Sequence, residues 1–135
     1  MALLPEVARD LLKVGHVVWV ATVGQDGWPN VAIKGSGGLI DDETLYFCDL
    51  FSKKTRANLL NDTRVALGIY NAGLKVAIQV KGHATLVESG EFFEQISTAI
   101  ASRNAGLPAV RYIVKVKVES VWDMGSGSGA GERIA

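Results

Sequence analysis

Apolar residues recur along this chain in two rhythms, and together they predict nine elements. Val17–Val23 (VVWVATV) is an almost unbroken β-prone run and reads as a strand buried on both faces. Leu74–Val87 alternates instead: Val76, Ile78 and Val80 face one way, Lys75, Ala77, Gln79 and Lys81 the other. Val110–Val121 repeats that alternation, with Val114, Val116 and Val118 against Ile113, Lys115 and Lys117. The helical period appears in Leu4, Val7, Leu11 and Val14, with Pro5 at the first turn, which predicts a short helix over Pro5–Val14 ended by Gly15. Phe92, Phe93, Ile96, Ala99 and Ile100 give Gly90–Ser102 a second helical stripe, closed by Asn104–Pro108.

Turn signals divide the remainder. Gln25-Asp26-Gly27 marks a hairpin whose returning strand is Pro29–Lys34, with Trp28 at its rim. Gly35–Gly38 lacks the Lys-Ser/Thr ending of a phosphate loop and precedes no long helix, so it reads as a bulge or bend in a coiled strand. Asp41–Glu43 turns into a strand over Thr44–Cys48, and Val65–Tyr70 is another, turned at Asn71–Gly73. The order α-β-β-β-α-β-β-α-β links its strands too closely for a doubly wound parallel sheet. It predicts a mostly β (α+β) fold: a six-stranded antiparallel barrel with short helices covering its openings.

The segment between Cys48 and Val65 carries the chemical anomaly. Ser52 is a candidate N-cap, Leu59 and Leu60 an apolar face, and Asn61-Asp62 a stop. A helix N-terminus carries roughly +0.5 charge and disfavours cations by about 0.3–1 kcal/mol each. This helix nevertheless opens with Lys53 and Lys54, followed by Arg56, whereas the later helix opens with Ser89, Glu91 and Glu94. A basic first turn is accounted for by an anion held on backbone N–H groups, Ser52, Thr55 and the lysines.

Composition narrows the classes. The 135 residues suit one domain, with 14 basic and 14 acidic side chains and no net charge, which argues against nucleic acid as a partner. Cys48 is the single cysteine, so no internal disulfide forms, and its apolar strand marks a small buried side chain rather than a reactive thiol. Two histidines without HxxH or CxxC spacing predict no zinc site. With no basic-then-apolar leader and no apolar run of about 18 residues, the expectation is a soluble, cytoplasmic protein without membrane partners. Residues 1–124 form the expected domain, and the Gly/Ser-rich residues 125–135 a flexible tail without a site.

The segments ATVGQDGWPNVAIK, LYFCD, SKKTRANLLNDTRVAL and VKGHATLV, in this order and spacing, resemble the pyridoxamine 5′-phosphate oxidase-like family of FMN-binding split barrels, especially its small single-domain members. The likeness runs from about Val17 to Val121, and Ser52–Val65 is its most specific part. It implies FMN bound non-covalently at a homodimer interface. By the same resemblance Ser52, Lys53, Lys54, Thr55 and Asn58 would hold the phosphate and ribityl region. Asn30, Val31, Ala32, Ile33 and Lys34 would lie along the isoalloxazine, with the Lys34 amine toward its O2/N1 edge. Cys48 and Asp49 would flank the cofactor. Gln79 is a weaker candidate, since the family's glutamine aligns two residues earlier, at Ala77.

The sequence departs from the true oxidases after Trp122, where Asp123-Met124-Gly125 replaces their basic ending; this argues against oxidation of pyridoxamine phosphate. No residue stands out as a catalytic acid, base or nucleophile, so any chemistry would belong to the flavin, in electron or hydride transfer. Alternatives on the same barrel are the deazaflavin F420, haem through His83, or a flavin carrier or sensor that is not an enzyme. Arg64 reads as an ion-pair partner rather than a ligand.

Overall fold

The computed structural model describes residues 3–103 and 106–135. Its elements are α1 (Glu6–Val14), β1 (His16–Val23), β2 (Pro29–Asp41), β3 (Thr44–Asp49), α2 (Lys54–Asn61), β4 (Arg64–Asn71), β5 (Val76–Val87), α3 (Glu91–Arg103) and β6 (Tyr112–Asp123). The six strands close into one antiparallel barrel in the order β1-β2-β3-β6-β5-β4, the fold class expected from the sequence. Closure leaves no strand edge along the sheet, which removes the usual site of unwanted strand pairing.

Alternation fills the barrel. Val18 and Val20 of β1, Leu45 and Phe47 of β3, Leu67 and Ile69 of β4, and Val114, Val116 and Val118 of β6 all point inward and are fully buried. α1 caps this core through Leu4, Ala8 and Leu12. The apolar face expected over Val7 and Val14 is displaced: both are exposed, and the i, i+4, i+8 row from Leu4 makes the contact. Burial of the two leucines contributes about 2 kcal/mol each, which a nine-residue helix needs because it is marginal alone. α2 likewise packs through Thr55 and Leu59, while Leu60 points outward. α3 lies on the outer wall, where Ile100 joins Cys48, Val110 and Ile113 in a separate cluster, and Tyr46 meets the edge of Phe92 at 5.6 Å. The residues expected to close α3 include 104 and 105, which lie outside the described residues.

The glycine run continues β2 rather than ending it, with a register shift against β1 between His16 and Val18. Another irregularity falls between Lys81 and Gly82; a Cβ on Gly82 would collide with the Lys117 carbonyl. Residues 125–135, expected as a flexible tail, fold back beside β6: Asp123 N–H donates to the Glu132 carbonyl at 2.8 Å, and Ile134 N–H to Val121 at 2.7 Å.

β1 is not covered on both faces as its composition suggested. Its outward row continues onto β2 and β4, where Trp19 pairs with Ile33 on one side and Gly68 on the other. Trp19, Val31, Ile33 and Tyr70 are 48, 70, 68 and 54% exposed on this face. Among the described residues no helix is long and apolar enough to cross a membrane.

Candidate functional site

The barrel opens where β2 and β3 stop pairing. Their ladder runs Asp41–Thr44, Leu39–Leu45 and Gly38–Tyr46. Beyond it the Ser36 hydroxyl substitutes for the strand: it accepts from Cys48 N–H at 2.9 Å and donates to the Cys48 carbonyl at 3.3 Å. The first half of β2, holding Asn30–Lys34, thereby runs past the end of β3 without a backbone ladder to it.

Two hollows line this split. One, about 340 Å³, is walled by the β1–β2 turn, Trp28, Asn30, Lys54 and Asn58. The other, about 410 Å³, is formed by Ile33–Ser36, Cys48, Leu50, Phe51, Ile100, Arg103 and Leu107. A hollow of about 470 Å³ lies elsewhere, on the outer face of β1, β4 and β5. Its basic side chains are already engaged: Arg64 with Asp62, as its ion-pair reading anticipated, His83 with Thr63 and Glu119, and Lys81 over the Trp122 ring. The split is the better candidate because, among the described residues, Lys53 and Lys54 at α2 have no acidic partner.

The start of α2 gathers cations and free donors, though not in the arrangement its sequence suggested. Lys53, not Ser52, occupies the cap position, and no side chain caps the helix. The first turn contains no acid, and its first intrahelical bond is Ala57 N–H to Lys53 C=O at 3.1 Å. The N–H groups ahead of Ala57 therefore point out of the helix unsatisfied by it. Lys53 and Lys54 are exposed beside them, while Ser52 is half-buried. Thr55, a candidate anion ligand, is instead turned inward at 1% exposure, because it shares the buried row with Leu59. Asn58 does line the hollow; its amide donates to the buried Thr22 hydroxyl at 3.0 Å, which pins α2 to β1.

At the other end of the split, Asp49 is fully buried and organises the cations around it rather than facing the hollow. Its Oδ2 receives the Lys34 ammonium at 3.2 Å, and its Oδ1 receives Arg111 Nη2 at 2.7 Å and the Ser52 N–H at 3.0 Å. Arg111 also donates from its backbone to the Asp49 carbonyl at 2.9 Å and from Nη2 to the Ser52 carbonyl. The Tyr112 hydroxyl lies beside the same carboxylate without a hydrogen bond of good geometry. Burial pushes the Asp49 carboxyl up, but Arg111, Tyr112 and Lys34 outweigh it and hold it below the ordinary carboxylate value. Cys48 is buried, and desolvation pushes its thiol up to about 11, the behaviour of an inert side chain.

Of the predicted residues, Asn30, Lys54 and Asn58 line the first hollow and Ile33, Lys34 and Cys48 the second, whereas Val31, Ala32, Ser52 and Lys53 line neither. Gln79 stands apart: it lies on β5, and β1 and β4 intervene between that strand and β2. Arg111 and Arg103 are the residues that sequence reasoning missed. Arg111 precedes a strand in an otherwise unremarkable run, and only the fold reveals that it reaches the residue ending β3.

The family model for pyridoxamine 5′-phosphate oxidase matches residues 4–125. The chain belongs to the pyridoxamine 5′-phosphate oxidase family. It is 30% identical over 122 residues to the uncharacterized protein MJ0282 of Methanocaldococcus jannaschii, covering 89% of this chain and 80% of that one. Among solved structures, HupZ of Group A Streptococcus superposes with a TM-score of 0.77 at 24% identity, over 95% of this chain and 99% of HupZ. An FMN-binding protein from Syntrophomonas wolfei subsp. wolfei gives 0.75 at 19% identity, over 89% and 85%. These structural likenesses establish the fold, a closed six-stranded antiparallel barrel with three helices.

Proposed function

We propose that this protein is a homodimeric, cytoplasmic flavoprotein that binds FMN non-covalently in the split and carries out electron or hydride transfer through it. The observation that carries this reading is the uncapped, acid-free start of α2, with Lys53 and Lys54 exposed beside free N–H groups. This donor set suits a phosphate. From there β2 runs about 13 Å between Asn30 and Lys34, at about 3.3 Å per residue, which suits an extended ribityl chain and ring. Val31 and Ile33 offer apolar surface, and Lys34 brings a cation to the far end.

When bound, FMN supplies the redox chemistry; the protein's part is to hold its phosphate, orient its ring and place charge near the ring edge. The exposed face of Trp19, Val31, Ile33 and Tyr70 supports a second copy, and so does the isolation of Gln79 from the split within one protomer. In a dimer Gln79 would serve the partner's site.

The visible absorption spectrum of the purified protein, before and after denaturation, tests the cofactor. A flavin spectrum whose released chromophore has the mass of FMN is expected. A deazaflavin spectrum or a Soret band would replace FMN by F420 or haem. A colourless protein that takes up no added FMN would overturn the reading. Bound flavin that no reductant or acceptor turns over would assign a carrier or sensor in place of an enzyme.

A further inference from the structure

Lys34 is only 12% exposed, and Asp49, its one acidic partner among the described residues, is fully buried. A lysine paired alone with a buried carboxylate has its charge cancelled and its N–H donors drawn inward. Here Asp49 is divided: Oδ1 is taken by Arg111 and by the Ser52 N–H, which leaves only Oδ2 for Lys34. Arg111 is anchored independently, by its backbone to the Asp49 carbonyl and by its side chain to the Ser52 carbonyl. Two cations on one carboxylate leave a net positive charge, and Lys34 is the member of the trio that lines the 410 Å³ hollow.

We propose that Arg111 is a positioning residue for Lys34: by occupying one oxygen of Asp49, it keeps that carboxylate from neutralising the lysine, which so presents its charge and free N–H donors to the split. This rests on the flavin reading for its consequence, since a cation at the ring edge favours the reduced, more negative cofactor over the oxidised one. The arrangement of the trio itself belongs to the protein alone.

Two measurements test it. In flavin-free protein, acylation of Lys34 by an amine-reactive succinimidyl ester is followed by peptide mass spectrometry, with Lys53 and Lys54 as internal controls. Arg111→Met should slow Lys34 labelling roughly three- to tenfold, the scale of one net hydrogen bond, because the ammonium then no longer shares the Asp49 charge with a second cation. Arg111→Lys should restore most of the rate. Unchanged labelling, or the faster labelling of a loop that has merely loosened, overturns the proposal. In FMN-loaded protein, Arg111→Met should weaken the preference for reduced over oxidised FMN by about tenfold, read as a drop of about 30 mV in the two-electron midpoint potential. A potential that does not move removes the role toward the cofactor. Slowed labelling in a protein that binds no flavin would uphold the trio and overturn only the flavin reading. Should Arg111→Met fail to fold, Arg111→Gln, whose uncharged donor holds Oδ1 less strongly, is expected to give the same two shifts in smaller measure.

Discussion

Lys34 Nζ and Asp49 Oδ2 lie 3.2 Å apart across the gap where β2 and β3 cease to pair. The contact ties together the two walls of the barrel's opening at the point where no backbone ladder does. A buried ion pair of this kind is weak evidence for net stability, yet removing one member leaves the other uncompensated. The split is therefore held by charge, and its geometry is sensitive to pH.

Asp49→Asn should destabilise the protein at pH 7 by about 3 kcal/mol, read by chemical denaturation, since Lys34 and Arg111 lose their shared anion. The pH dependence has a definite sign. The folded-state pKa of Asp49 is lowered, so its contribution is complete above the ordinary carboxylate range near pH 4 and is lost as pH falls through the lowered folded value. The wild-type protein should lose stability across that acid window, and the variant should show a shallower loss. Parallel acid profiles would mean that Asp49 is not ionised in the folded protein.

Replacing Lys53 and Lys54 together by Ala should weaken FMN binding about 100-fold, at roughly 1.5 kcal/mol for each charge-assisted contact. Folding should be unharmed. Both side chains are exposed at a helix N-terminus that repels cations, so the melting temperature is expected to hold or rise slightly. Fluorescence-quenching titration and thermal denaturation read the two effects separately. Unchanged affinity would remove the phosphate from α2.

Much of this was legible in the sequence, and the remainder failed for identifiable physical reasons. The alternation in Leu74–Val87 and Val110–Val121 marked both strands and their inward rows, and the Lys53-Lys54 pair marked a helix start that has neither an acid nor a side-chain cap. Helix faces were less secure: with α1 and α2 only two to three turns long, several neighbouring rows fit the same residues, and packing chose Leu4–Ala8–Leu12 and Thr55–Leu59. Burial of Thr55 followed from that choice. Asp49 looked like a cofactor neighbour because it ends β3, and its engagement with Arg111, 62 residues away, is a long-range contact that no local pattern encodes. The exposed face of β1 was misread because Val and Trp are equally suited to a core and to an interface.

Gly82→Ala should be more damaging than a single methyl suggests. The added Cβ would meet the Lys117 carbonyl on β6, a backbone atom that cannot rotate away, at the bulge that curves β5. A loss of about 3 kcal/mol is expected, at the upper end for single substitutions. Urea denaturation checks it, and Gly127→Ala, where the added methyl would touch nothing, serves as the control.

Ile33→Asp and Val31→Asp test assembly and cofactor together. Both positions are about 70% exposed on the β2-β1-β4 face, so in an isolated chain a carboxylate there would cost little and the fold should persist. In a dimer it would be desolvated without a partner, a penalty large enough to separate the subunits. Multi-angle light scattering should therefore show a dimer for the wild-type protein and a monomer for each variant, with unaltered circular dichroism. FMN affinity should fall for two reasons: the substituted side chains lie along the ring, and Gln79 of a lone chain is separated from its own split by β1 and β4. Gln79→Ala supplies the complementary arm: it should leave the dimer intact and weaken flavin binding by a smaller factor. A monomeric variant that retains full FMN affinity would show that one chain completes the site alone, and would confine the apolar face to some other purpose.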